Sequence, residues 1–233
     1  MLTELSKILN DINNILVPTV CFGCNASLRK GERLLCTVCR NQLPLTDYNF
    51  TDENPVDRIF YGRIDIKKAN SFLFFTPKGI AKTLIHYLKY KNQQEIGVFL
   101  GNWWGEILKE DSTLKEIDYV IPVPLHKHKL RKRGYNQVSA FGKRLAFHLK
   151  AHYADDILFK TANTRTQTKK SRLGRWQNHN ALFSIVDATV LQHKRVLLID
   201  DVLTTGATLE SCARAIKKAE DVTIYIATMA VTI

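Results

Sequence analysis

The sequence predicts an open, mostly parallel α/β sheet with helices on both faces, preceded by a small N-terminal four-cysteine module. Three observations carry this expectation. Residues 196–199, VLLI, are an unbroken apolar run, the pattern of a central parallel strand buried on both faces. They open a strand–helix–strand alternation, with a helical pattern over 207–219 and a β-branched run over 222–231, as crossovers on a single parallel sheet require. Finally, Cys21, Cys24, Cys36 and Cys39 form two C-x2-C pairs separated by eleven residues.

Taken in order, residues 1–20 space Leu2, Leu5, Leu9, Ile12 and Leu16 at helical intervals, with acids at Glu4 and Asp11. This reads as an amphipathic helix, without the basic stretch and apolar block of a signal peptide. Residues 43–61, rich in Pro, Asp, Asn and Thr, read as a connection. The chain therefore divides into an N-terminal helix and cysteine module over 1–45 and a main domain over 60–233. In that domain the pattern predicts a strand at 69–76, helices at 79–91 and 96–109, and a strand at 119–125 ending in prolines. An amphipathic helix at 135–150 and a strand at 157–161 precede the clear C-terminal elements. Trp103 and Trp104 fall on the second helix as core or interface residues, and Cys212 reads as a small buried residue.

The chain has 233 residues, 45% of them hydrophobic and 24% charged, enough for a full core and inconsistent with disorder. No apolar run approaches the ~18 residues of a membrane-spanning helix, so a cytoplasmic protein is expected. Lys and Arg number 34 against 22 Asp and Glu, a net charge of +12 that favours anionic partners. The charge is clustered: residues 126–133, HKHKLRKR, carry five Lys or Arg and no acid, and residues 164–175 carry another five.

In a reducing compartment the paired cysteines are poor candidates for disulfides. Four thiolates at this spacing suit a tetrahedral, structural zinc site, with iron in the same four-sulfur set as the alternative. So short a segment has no core of its own, so the metal would hold it folded. The seven histidines show no metal-ligand spacing; His126 and His128 sit where they can assist phosphate binding.

At the carboxyl edge of a parallel sheet, where ligands bind, the VLLI run leads into Asp200 and Asp201, then Val202 and Leu203. Thr204, Thr205, Gly206, Ala207 and Thr208 follow and open a helix. A Thr- and Gly-rich turn at a helix N-terminus offers backbone N–H groups, hydroxyls and a favourable dipole to a phosphate. Two adjacent carboxylates would repel that phosphate. They make sense as acceptors for the hydroxyls of a ribose, or as ligands to Mg2+ through water. A ribose 5-phosphate satisfies both halves of the motif. Neither GxxxxGK[ST] nor GxGxxG occurs.

Residues 196–208, VLLIDDVLTTGAT, resemble the 5-phosphoribosyl-1-pyrophosphate (PRPP) motif of type I phosphoribosyltransferases. Residues 121–138, IPVPLHKHKLRKRGYNQV, resemble the segment after the pyrophosphate-loop strand in the ComF/GntX family. Residues 164–183 are similar to that family's flexible loop, with Gln167, Arg175, Asn178 and Phe183 in frame and Lys170 where an apolar residue is common. The LKYKN segment at 88–92 and the cysteine pairs fit as well, so the resemblance spans nearly the whole chain.

This resemblance implies a type I phosphoribosyltransferase-like fold and assigns roles. Asp200 and Asp201 would hold the ribose, and residues 204–208 the 5′-phosphate. The pyrophosphate loop would come from Val123, Pro124, Leu125, His126, Lys127, Arg131 and Arg133. Arg165, Gln167, Lys169 and Lys170 would close over a Mg2+-bound PRPP. Substitution at the anomeric carbon would then transfer the phosphoribosyl group to an acceptor that no residue identifies. The same resemblance implies a rival role in DNA uptake during competence, with single-stranded DNA and a helicase as partners. For that role the basic segments would track the backbone, and Tyr135 or Trp176 would stack on bases. Tyr135, within RGYNQ, also fits as a simple brace for the loop.

Overall fold

The computed structural model describes residues 19–161 and 182–232. The expected N-terminal helix, up to residue 18, and the flexible-loop candidates Arg165, Gln167, Lys169 and Lys170 lie outside the described residues, as does Trp176.

Five strands form the main sheet: β1 (Lys68–Phe74), β2 (Tyr119–Pro122), β3 (His152–Tyr153), β6 (Arg195–Leu203) and β7 (Thr223–Val231). Their order is β1-β7-β6-β2-β3, and every neighbouring pair is parallel. The chain passes from β2 outward to β3, returns to β6 on the other side of β2, and continues away through β7. The sheet therefore switches direction between β2 and β6, and the crevice beyond their carboxyl ends is the place such folds bind ligands. There Pro122 pairs with Ile199, and the Val123 N–H donates to the Ile199 carbonyl at 2.8 Å.

Strand β6 runs past the predicted 196–199 because β7 stays apolar to its end and offers partners as far as Val231, opposite Leu203. The paired acids thus lie inside the strand, with Asp200 opposite Thr228. A separate antiparallel pair, β4 (Leu158–Lys160) and β5 (Phe183–Ile185), stands apart from the sheet. The three-residue β5 and two-residue β3 are too short to leave a periodic signal.

One face of the sheet is covered by α3 (Ile80–Tyr90), α4 (Glu95–Leu108) and α6 (Ser139–Leu149), with Phe72, Val120, Leu197, Ile199 and Tyr225 facing them. The cysteine segment with its short helix α1 (Thr37–Asn41) joins the same buried cluster through Cys21, Leu35, Cys39 and Leu43. Helix α7 (Ala207–Ile216), α2 (Pro55–Arg58) and the β4–β5 pair cover the other face over Ile121, Val196, Leu198, Ile224 and Ile226.

Helices α4 and α6 approach closely because Gly97, Gly101 and Gly105 line the contact at every fourth position. A Cβ on Gly101 would stand 2.7 Å from the Phe141 carbonyl oxygen, and one on Gly105 2.4 Å from the His148 ring. Trp104 is core as expected, stacked between Phe72 and Phe141. Trp103 is half-buried, with the Arg40 guanidinium 4.8 Å above its ring.

Residues 43–61 are more than a connection. Phe50, Val56 and Phe60 are fully buried, the Phe74 N–H donates to the Pro44 carbonyl, and Asn54 caps α2 in a reciprocal box with Asp57. Their apolar residues follow neither helical nor strand spacing, so periodicity does not reveal them. Helix α6 starts at Ser139, four residues after the expected position, because Tyr135 and Asn136 have other bonds. The Tyr135 hydroxyl donates to the Leu88 carbonyl, and the Asn136 amide to the Val123 carbonyl at 3.0 Å.

Candidate functional site

The expected pyrophosphate loop is in part a helix. Val123, Pro124 and Leu125 leave β2, His126 caps α5 (Lys127–Arg133) through Nδ1, and Gly134 at φ +81° stops it. Lys127, Lys129, Arg131 and Lys132 are exposed and Arg133 is partly covered. The helix is therefore an exposed row of cations beside the carboxyl end of β2, consistent with phosphate or polyanion contact.

Strand geometry sends the side chains of consecutive residues to opposite faces, which separates the two acids. Asp201 faces α3 and α6 and is 6% exposed. Its Oδ1 accepts from Lys89 Nζ at 2.8 Å and its Oδ2 from Gln137 Nε2 at 2.5 Å. Gln137 in turn accepts from Arg133 through its amide oxygen. Asp200 faces the α7 side, among Cys212 and Lys160, and retains some exposure. Its Oδ1 accepts from the Asp201 N–H at 2.8 Å. Burial first, then the adjacent Asp201 carboxylate, pushes the Asp200 carboxyl well above the usual range, while Lys89 and Lys160 act in the opposite sense. Burial likewise raises the Cys212 thiol, which is buried as expected.

Lys160, on β4, was not foreseen from the sequence. Burial and the nearby Lys129 ammonium lower its pKa, against the attraction of Asp200. A cation from the β4–β5 pair thus lies near Asp200, and one from α5 lies near that cation.

The turn after β6 has Thr204, Thr205, Ala207 and Thr208 exposed and Gly206 buried at φ +75°. At the start of α7 the Ala207 N–H donates to Thr205 Oγ1 at 3.5 Å and the Glu210 N–H to the Gly206 carbonyl at 2.8 Å, while the N–H groups of a helix's first turn have no intrahelical acceptor and suit an anion. Arg63 fixes this turn from behind. Its Nη1 donates to the Thr205 carbonyl at 2.7 Å, and its Nε and Nη2 to Glu210 Oε2 at 3.0 and 2.6 Å. In a trans peptide the N–H points opposite to the C=O. Holding the Thr205 carbonyl toward Arg63 therefore aims the Gly206 N–H away from Arg63. A recess of about 530 Å³ borders Arg63 on residues 61–68, but neither the carboxylates nor the turn line it, so the site rests on its chemistry and not on cavity size.

The four cysteines converge. Their sulfurs lie within 4.8 Å of one another, and Cys24 and Cys36 are 3.8 Å apart. A tetrahedron with metal–sulfur bonds of about 2.3 Å has edges of about 3.8 Å, so the set fits a metal such as zinc. Backbone N–H groups of Gly23 and Cys36 donate to Cys21 Sγ at 3.3 Å. Burial disfavours the Cys21 thiolate, but these N–H groups outweigh it and lower its pKa; burial and the neighbouring sulfurs raise that of Cys39. Glycine in CFGC is required sterically, since a Cβ at Gly23 would meet Cys39 Sγ at 2.8 Å.

The structure thus places Asp200, the 204–208 turn and the basic segment after β2 at the carboxyl ends of the adjacent strands β6 and β2, and gathers the cysteines elsewhere. Lys89 and Gln137 reach Asp201, Lys160 lies near Asp200, and Arg63 holds the turn, all from distant segments. LKYKN and RGYNQ contain the first two, so for these a sequence signal existed.

Residues 139–231 match the phosphoribosyl transferase domain family. Competence protein F of Haemophilus influenzae is 34% identical over 111 residues, which cover 47% of this chain and 48% of that protein. DNA utilization protein YhgH of Escherichia coli O157:H7 is 25% identical over 227 residues, covering 91% of this chain and 96% of that protein. Among solved structures, glutamine PRPP amidotransferase from B. subtilis aligns with a TM-score of 0.44 at 18% identity, covering 63% of this chain and 30% of that one.

Proposed function

We propose that this chain, a ComF-family member with the phosphoribosyltransferase fold, binds a ribose 5-phosphate unit, as in PRPP, at the carboxyl edge of β6. Residues 1–45 form its metal-stabilised module and residues 60–233 its ligand-binding domain. The observation that carries the reading is the run from Asp200 into the Gly206 turn at the sheet's switch point. Asp200, on the α7 face and still partly exposed, accepts from ribose hydroxyls, and the residues 204–208 turn takes the 5′-phosphate. The cations after β2 and Lys160 neutralise a pyrophosphate carried with Mg2+. Such a site is suited to substitution at the anomeric carbon: the bond to pyrophosphate oxygen breaks, pyrophosphate leaves with the electron pair, and an acceptor's lone pair forms the new bond. The protein supplies positioning and charge neutralisation. The cysteine site takes zinc as a structural ion.

The test is calorimetric titration of ribose 5-phosphate, and of PRPP with Mg2+, into zinc-replete protein. Saturable binding that Asp200→Asn abolishes supports the site; no binding by folded wild-type protein sinks it.

A second reading is favoured by a separate observation, the exposed cation row of α5. The names of the relatives, competence protein F and DNA utilization protein, point to work on DNA. Here α5 tracks a single-stranded backbone in competence, alongside or in place of transfer. Affinity for single-stranded DNA should then fall steeply with salt, and reversing Lys129, Arg131 and Lys132 should flatten that slope by about one unit per lost phosphate contact. A salt slope unchanged by the triple reversal would reject this use of α5.

A further inference from the structure

We propose that the two adjacent acids divide their labour: Asp201 is a positioning residue that holds Lys89 and, through Gln137, Arg133 as a two-cation subsite for the pyrophosphate end of the ligand. The inference rests on the phosphoribosyl reading and deepens it.

Asp201 is poorly placed to meet a sugar. Its carboxylate is almost wholly enclosed, and each oxygen already accepts from a donor on a different segment, Lys89 from α3 and Gln137 from the start of α6. Asp200 has no such side-chain donor among the described contacts and keeps part of its surface open. The cations are differently placed. Lys89 spends one of three N–H donors on Asp201, and Arg133 gives one bond to Gln137 out of five N–H donors. Both therefore retain donors for a ligand, and both are partly exposed.

The pairings also fix direction. Arg133 lies 5.6 Å over the Tyr90 ring, beside Lys89 in the chain, so its guanidinium is held between Tyr90 and Gln137. Tyr135, two residues after Arg133, bonds the carbonyl of Leu88, the residue before Lys89, and so ties the same two segments together. The end of α3 and the segment after α5 are thus clamped at three points around Asp201. One buried negative charge against two cations leaves a net positive subsite. Preorganised cations held by buried partners bind an anion with less ordering cost than free surface lysines. The basic row of α5 continues from Arg133, so the subsite is the inner end of that row.

The experiment separates the two halves of the ligand. Inorganic pyrophosphate with Mg2+ and ribose 5-phosphate are titrated singly into wild type, Lys89→Met, Gln137→Ala, Asp201→Asn and Asp200→Asn, each checked for native circular dichroism. Wild type is expected to bind both. Lys89→Met and Asp201→Asn should weaken pyrophosphate about tenfold or more and leave ribose 5-phosphate within about twofold; Gln137→Ala should do the same to a smaller degree. Asp200→Asn should show the reverse selectivity. Loss of ribose 5-phosphate binding in Asp201→Asn to the extent seen in Asp200→Asn would overturn the division. So would pyrophosphate binding unaffected by Lys89→Met, or absent in a wild type that binds ribose 5-phosphate. If Asp201→Asn does not fold, Lys89→Met and Gln137→Ala decide between the outcomes. A wild type that binds neither probe removes the phosphoribosyl reading itself, and this inference with it.

Discussion

Replacing Gly206 with alanine tests the phosphate turn at its most constrained point. The residue sits at φ +75°, where an L side chain costs about 1–2 kcal/mol. The added Cβ would also stand 3.0 Å from Ile59 Cγ2 and 3.1 Å from Phe60 Cε1, and Phe60 is fully buried and cannot swing away. Overpacking of this kind adds about 1 kcal/mol. No helical propensity offsets these costs, because Gly206 precedes the first residue of α7. The sum is about 2–3 kcal/mol, which for a chain of this size lowers Tm by about 4–12 °C. The same strain turns the Gly206 N–H out of the anion site, so ribose 5-phosphate affinity should fall at temperatures where the variant is still folded. Scanning calorimetry and titration at 15 °C read the two effects, with the exposed Thr204→Ala as a control that should barely change stability. A Gly206→Ala protein with wild-type Tm and affinity would refute both the left-handed turn and its role in binding.

Three further perturbations follow from the packing. Gly101→Ala sets helix propensity, worth about 1 kcal/mol in favour of alanine, against a Cβ 2.7 Å from the Phe141 carbonyl and 2.9 Å from Arg144 Cβ. Since main chain must move, we expect a net loss of about 1–2 kcal/mol by urea denaturation; a gain would mean that α4 and α6 do not pack this closely. Stripping metal with a strong chelator should expose residues 21–40 to protease first and then loosen α3 and α4, where Phe22 packs on Tyr87 and Arg40 on Trp103; unchanged cleavage kinetics would argue against a structural metal. His148 offers a pH test. Burial lowers its pKa, with Arg144 and Lys109 acting the same way and Glu106 opposing. The unfolded chain therefore binds the proton more readily, so this contribution to stability is present above pH about 6.5 and is lost as pH falls. His148→Gln should flatten the decline in stability between pH 7 and 5, and an equally steep decline in the variant would assign it to other groups.

Much of the fold was legible because its signals are contiguous. The VLLI run, the paired acids, the Thr–Gly turn and the helix after it are neighbours in the chain, and local geometry alone makes that sequence a strand, a turn and a helix start at the sheet's carboxyl edge. The cysteine pairs are similarly close, and spacing was enough to anticipate a four-sulfur cluster. The long helices showed themselves by periodicity, which any amphipathic segment of that length must carry. Short pieces did not: β3 and β5 have too few residues to show a period, and the buried part of 43–61 has none.

The site divided along the same line. That Asp200 and Asp201 stand beside a Thr–Gly turn follows from the sequence; that they face opposite sides of the sheet follows from β6 extending to Leu203 against β7, a pairing the chain does not announce. Lys89 lies 112 residues from Asp201, Gln137 lies 64 from it, and Arg63 lies 142 from Thr205. Sequence fixes what each segment can form alone, since propensity and periodicity are local properties. Which charge meets which carboxylate depends on long-range packing of α3, α6 and the 61–68 segment against one sheet edge, and that was decided only when the tertiary structure brought them together.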